Sequence, residues 1–113
     1  MSLWLNAPDP SSLLKRLKAA IDAGHITTWA YDRDGDFTHT PSQWVNRAWL
    51  QPHIMSNELV LTIVGQKAVP LDREAYAVYH GRFAEMMLAH FDQEFSSIRT
   101  SALATSGDRV SAS

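Results

Sequence analysis

Five histidines, at positions 25, 39, 53, 80 and 90, are the residues of this 113-residue chain best placed for proton chemistry, because unperturbed imidazole titrates near neutral pH. His39, between Thr38 and Thr40 and close to Asp36, is the best acid–base candidate. A small acid–base enzyme or hydrolase built on His39, Asp36, His80 and Arg82, in a cleft between a sheet and a helix, is one function these residues allow. It requires His39 and His80 to converge on a common point. Neither a nucleophile motif nor a phosphate-cradling glycine loop accompanies them. His25 follows Gly24, where a cation favours the negative end of a preceding helix, and His53 falls in a loop. His80 and His90 are ten residues apart, about 280° around a helix axis, so one helix cannot bring both to one metal. His90 and Glu94 have i, i+4 spacing, but two ligands are not a site.

Asp32, Asp34 and Asp36 alternate as calcium ligands do at positions 1, 3 and 5 of a binding loop. The sixth position, which wants Gly, is Phe37, and the twelfth, which wants Glu, is Gln43. The segment reads as a turn, for which Asp and Gly are ordinary occupants, and neither metal nor cofactor is expected.

The aromatic residues suggest a different class of function. Trp29 and Tyr31 share one face of a short strand, and Phe37 and His39 share one face of its partner, so core packing or an aromatic binding platform can result. The aromatics Trp29, Tyr31 and Phe37, with Trp44, Trp49, Tyr76 and Tyr79, form the candidate binding set. The favoured expectation is a non-enzymatic protein-interaction or ligand-binding domain, homodimeric, since Trp and Tyr often anchor interfaces; a small-molecule ligand is compatible with it. A third expectation, inhibition of a protein partner, rests on two acidic groups made by Asp32, Asp34, Asp36, Glu85, Asp92 and Glu94.

These side chains need elements to hold them. Asp9-Pro10 opens a helix in which Leu13, Leu14, Leu17, Ala20 and Ile21 recur at helical spacing, and Gly24 stops it. Ile26–Tyr31 and Phe37–Thr40, joined by the Asp-rich turn, form a β-hairpin. Thr40-Pro41-Ser42-Gln43 starts one helical turn, and residues 44–51 suit either helix or strand, with Pro52 confined to an edge or a strand end. Glu58–Val64 is the strongest strand signal and predicts a central, buried strand. From Leu71-Asp72-Arg73-Glu74 a long helix runs to about Ile98. Tyr76, His80, Phe83, Met87, Phe91 and Ile98 trace one stripe on it, and Ala77, Gly81, Ala84 and Leu88 a neighbouring stripe of mostly small residues. A glycine inside a helix suggests close approach of another backbone, so the first helix, or the same helix of a second chain, is expected in that groove.

The whole predicts an α+β domain spanning residues 1–99: a three- or four-stranded antiparallel sheet with an N-terminal helix and a long C-terminal helix on one face, in the order α-β-β-(β)-β-α. Residues 100–113 read as a tail. Leu, Ile, Val and Phe supply 26 of the 113 residues, enough for one core. A net charge of -2 offers no general attraction to nucleic acid or anionic membrane. The only close basic cluster, Lys15, Arg16 and Lys18, reads as a solvated helix face. Without cysteine there are no disulfides or zinc–thiolate sites. The first ten residues hold no export signal and no run of 18 apolar residues occurs, so a cytoplasmic protein is expected.

Overall fold

Leu3 and Leu5 alternate with Ser2, Trp4 and Asn6, the period of two that buries one side of a strand. The structure, a computed structural model, describes residues 2–67, 69 and 71–102, and these five residues form its first strand, β1 (Ser2–Asn6). There follow α1 (Pro10–Asp22), β2 (Trp29–Tyr31), β3 (Phe37–His39), β4 (Ala48–Met55), β5 (Glu58–Gly65), α2 (Arg73–Phe91) and β6 (Ser97–Thr100). Among the described residues the six strands make one antiparallel sheet in the order β2-β3-β4-β5-β1-β6.

This is the expected α+β class with a larger sheet. The three or four strands predicted are six, and the additions, β1 and β6, pair with each other through Leu3↔Thr100 to Asn6↔Ser97. The long helix stops at Phe91 instead of reaching Ile98. Its last turn is followed by a tight bend in which the Glu94 amide donates to the Phe91 carbonyl, and the Ser96 amide donates to the carbonyl of Asn6. Ile98 then lies opposite Leu5 as a strand residue. The physical reason is the outer edge of β1: without β6 its backbone donors and acceptors on that side would have no partner. Thr100, expected in the tail, belongs to β6, and the Ser101 amide donates to the Ser2 carbonyl; residues 103–113 lie outside the described residues.

The helices start where their caps dictate. The Asp9 carboxylate accepts from the Ser12 amide with Pro10 in the first turn, and the Asp72 carboxylate accepts from the Ala75 amide. Past the end of α1, Gly24 adopts φ +81°, a left-handed conformation that lets the His25 amide reach back to the Ala20 carbonyl. β2 begins only at Trp29 and is shorter than the alternating sequence suggests, although the Thr28 carbonyl still accepts from the Thr40 amide across the hairpin. After Thr40 a single turn closes as expected, with the Val45 amide on the Pro41 carbonyl, but it does not continue as a helix; residues 42–47 are turns and the strand begins at Ala48. Pro52 is tolerated inside β4 because β3 pairs with that strand only at Phe37↔Leu50, leaving the edge beyond it open. As expected, β5 is central, between β4 and β1.

Both helices cover one face of the sheet. Leu3, Leu5, Phe37, Leu50, Leu59, Leu61 and Ile63 point toward them and, with Leu13 and Leu17 of α1 and Tyr79, Phe83 and Met87 of α2, form one buried core. The opposite face has no element over it among the described residues. Across it run Trp49 beside Val64, and His53, Val60, Trp4 and Arg99 in one row over four strands. No helix among the described residues is long and apolar enough to cross a membrane.

Candidate functional site

The hairpin β2–β3 forms one edge of the sheet, and its helix-facing side carries Trp29 and His39 as direct cross-strand partners. Their rings lie 4.7 Å apart, tilted by 34°. Trp29 meets Tyr79 and Phe83 of α2 edge-on, at 5.7 and 5.1 Å, so the helix clamps the indole and, through it, the imidazole. Nδ1 of His39 lies 2.7 Å from the carbonyl oxygen of Thr28. A carbonyl can only accept, so the proton sits on Nδ1, and Nε2 of the neutral ring is an acceptor. No described residue hydrogen-bonds Nε2. Since no buried side-chain nitrogen or oxygen among the described residues lacks a partner, Nε2 is open to the space His39 lines.

Burial lowers the His39 pKa from its ordinary 6.5; the Thr28 carbonyl opposes the shift, the Arg82 cation adds to it and Glu85 opposes it. The ring is therefore neutral at pH 7.

That space is a cleft of about 490 Å³. Its floor is Thr28, Trp29 and His39, and one wall is Pro41, Gln43 and Trp44 from the turns after β3. The other wall is a face of α2, with Arg82, Glu85, Met86, Ala89 and His90 at helical spacing i, i+3, i+4, i+7 and i+8. Arg82 and Glu85 form an ion pair at 3.3 Å, their side chains 57% and 68% exposed. The Arg47 guanidinium lies 5.7 Å from the Trp44 ring and 3.1 Å from the Asp72 carboxylate at the start of α2.

The turn that supplies Trp44 is held by a buried hydrogen-bond chain. The Asn46 amide donates to Oγ1 of Thr38. Thr38 and Tyr79 share a hydroxyl–hydroxyl bond of 3.0 Å, while the Tyr79 hydroxyl donates to the Trp44 carbonyl and accepts from the Ala48 amide. With its single proton committed to Trp44, the Tyr79 oxygen must accept from Thr38. The tyrosine thus ties α2 to both ends of the wall.

Of the residues singled out for acid–base work, the structure brings Arg82 to His39 and leaves the other two outside the cleft. Asp36 sits in the hairpin turn, its amide donating to the Asp32 carboxylate. His80 is buried, with Nδ1 on the Tyr76 carbonyl and its ring stacked on Tyr76 at 6.1 Å, and it does not line the cleft. Of the two outcomes open to the hairpin aromatics, core packing prevails over a binding platform: Trp29 and Phe37 are buried, as is Tyr79 of α2. Tyr31 is half-buried, its hydroxyl held by Asp22 and its ring under Lys18. Trp44 reaches the cleft, Tyr76 stacks on His80, and Trp49 lies on the uncovered face.

Ala77, Gly81 and Leu88 are exposed and Ala84 is half-buried. Nothing stands within 4 Å of where a Cβ on Gly81 would be, because α1 packs on β2, β4 and β5 instead of this stripe. Asp32 uses its carboxylate to cap the amides of Asp34 and Asp36, and no group of three or more potential metal ligands occurs among the described residues. The acidic groups are partly matched by cations, Glu94 by Arg16 at 2.9 Å and Glu85 by Arg82.

Sequence reading missed Glu85, His90, Gln43 and Thr28 as parts of one site. The periodic face from Arg82 to His90 was a usable signal for the helix wall; the partners across the cleft carry no local signal. Comparison with known protein families, with curated proteins and with solved structures finds no match to this chain.

Proposed function

We propose that this protein is a non-enzymatic binding domain for a small organic molecule, held in the cleft between the hairpin edge and α2. The observation that carries the reading is the open Nε2 acceptor of a neutral His39, fixed by Thr28 and Trp29 at the floor of a cleft with Trp44 on one wall. A cleft of about 490 Å³ falls within the range of roughly 300–1,000 Å³ usual for small-molecule sites. Six of its eleven lining residues, Thr28, His39, Gln43, Arg82, Glu85 and His90, are polar or charged, more than is usual there, which suits an occupant with several polar groups. Binding is favoured over acid–base catalysis because His80 and Asp36, the partners such chemistry would use, lie elsewhere.

The four tryptophans provide the test, since Trp29 and Trp44 line the cleft while Trp4 and Trp49 lie on the opposite sheet face. Single-ring aromatic compounds with a hydroxyl or ring N–H donor, titrated into nitrogen-15-labelled protein, should shift the indole N–H signals of Trp29 and Trp44 together with the His39 ring nitrogens. Shifts confined to Trp4 and Trp49, or none, would overturn the reading.

A second reading, association with another copy of the chain or another protein, is favoured by the uncovered sheet face. Trp4, Trp49, Val60 and Val64 are only half-buried there with no described element over them, and apolar surface of this kind marks interaction sites. Sedimentation equilibrium up to high protein concentration tests it: a monomer throughout would leave no homodimer to explain.

A further inference from the structure

Resting on the cleft reading, we infer that the preferred occupant is a zwitterion: an aromatic molecule whose ring bears a hydrogen-bond donor and whose other end carries an ammonium and a carboxylate on one carbon. The two ends of such a molecule answer two different features of the site.

The first is the Arg82–Glu85 pair. Its heads touch at a single 3.3 Å contact, and both side chains remain more than half exposed. A pair of this kind is weakly held and easily re-partnered. It presents a cation and an anion side by side on the cleft wall. A ligand carrying only a carboxylate gains Arg82 but meets the repulsion of Glu85 within the same few ångströms; a ligand carrying only an ammonium meets the reverse. A molecule with both groups on one carbon satisfies the two together, and the net charge of the wall stays unchanged.

The second feature is the floor. Trp44 is the accessible aromatic surface of the cleft, and the buried Trp29 and Met86 close it beneath with an indole and a polarizable thioether, so a flat ring is accommodated against Trp44. The open Nε2 of His39 accepts but cannot donate while Nδ1–H is committed to Thr28. A ring bearing O–H or N–H is therefore favoured over one bearing only acceptors. A site built to meet a donor discriminates against the analogue that lacks it, because its own polar group is then left unpaired.

The test is a set of 4-hydroxyphenyl compounds that carry both, one or neither of the two charged groups: tyrosine, tyramine, 3-(4-hydroxyphenyl)propionate and p-cresol, with phenylalanine as the ring without a donor. Affinities are read from the Trp29 and Trp44 indole N–H shifts of the full chain. Tyrosine should bind at least about tenfold more tightly than tyramine or the propionate, and phenylalanine several-fold more weakly than tyrosine. Arg82→Gln and Glu85→Gln should each reduce tyrosine to the level of the singly charged analogues, and the exchanged double variant R82E/E85R should retain the preference for the zwitterion. Thermal melts confirm that these exposed substitutions leave the fold intact. If all four hydroxyphenyl compounds shift Trp29 and Trp44 with equal affinity, the zwitterion inference fails and the cleft reading stands. If none shifts them, both fail.

Discussion

His39 and Trp29, directly opposite one another on the edge hairpin, pack with their rings 4.7 Å apart and tilted by 34°, while the imidazole Nδ1–H is held by the carbonyl of Thr28, the residue before that tryptophan. The hairpin therefore grips the ring in two ways: burial beneath the indole disfavours the charged form and outweighs the Thr28 carbonyl, which favours it, while the Thr28 bond itself needs only the Nδ1 proton and so is kept by the neutral ring. What remains is a lone pair on Nε2 directed to the cleft.

Acid should for that reason cost this protein stability through His39. Its folded-state pKa lies below the ordinary 6.5, so the unfolded chain binds the proton more readily. The His39 contribution is complete above about pH 6.5 and is lost as pH falls through the lowered value. His39→Asn can keep a donor toward Thr28 but does not titrate. Thermal unfolding of both proteins from pH 8 to pH 4 should show the native protein losing more stability than the variant; parallel curves would remove His39 from the account. In the same window, ligands that donate to Nε2 should lose affinity as the nitrogen gains its own proton.

The start of α2 gives a prediction with a smaller expected size. Asp72 accepts from the Ala75 amide at 2.8 Å and also meets Arg47 at 3.1 Å, with the aspartate side chain 58% exposed. Asp72→Ala should cost about 1 kcal/mol through the lost cap, whereas Arg47→Ala should cost less, since an exposed ion pair contributes about 0–1 kcal/mol. Urea unfolding measures both, and an Arg47 effect larger than the Asp72 effect would assign the stability to the ion pair instead of the cap.

Much of this architecture could be read from local chemistry. Asp9-Pro10 with Leu13 and Leu17 marks α1, the Asp-Gly turn marks the hairpin, and the apolar run Leu59–Val64 marks the central strand. β1 and β6 escaped because strands of five and four residues have little local signal, and each depends on pairing that only the folded sheet supplies. Ile98 shows the ambiguity well: its spacing from Phe91 continues a helical stripe, yet its partner is Leu5, 93 positions earlier. The candidate site was readable to the same depth. His39 and Arg82 stand out by type, but their meeting depends on which face of α2 lies against the hairpin edge. That orientation is set by Trp29, Phe37 and Phe83 packing together, a tertiary event with no local sequence signature.

The uncovered face carries its own expectation. The Arg99 guanidinium lies 4.1 Å from the Trp4 ring and 3.9 Å from Glu58, so the tryptophan is shielded on one side by a charge that itself stays exposed. Arg99→Ala should lose about 0.5–1 kcal/mol of stability, the usual size of an exposed cation–π contact, and should increase the apolar surface open to partners. Sedimentation of native and variant proteins checks the second effect: stronger self-association of the variant is expected if the face is adhesive, and an unchanged monomer would show that it is not.

Tyr79 couples the core to the cleft most directly. Its ring is buried against Trp29, and its hydroxyl joins Thr38, the Trp44 carbonyl and the Ala48 amide. Tyr79→Phe retains the ring packing and removes the oxygen, so buried backbone groups at both ends of the cleft wall lose their partner. A loss of about 1–3 kcal/mol follows from leaving such a group unsatisfied. The effect should be uneven across the chain. Hydrogen exchange at residues 44–48 should accelerate well beyond the change in global stability, while the central pairs of β5 with β1 and β4 should follow the global change alone. Affinity for cleft ligands should fall as the Trp44 wall loosens, although Tyr79 does not line the cleft. Uniform acceleration of exchange, with ligand affinity unchanged, would show that the hydroxyl supports the core and leaves the Trp44 wall to other contacts.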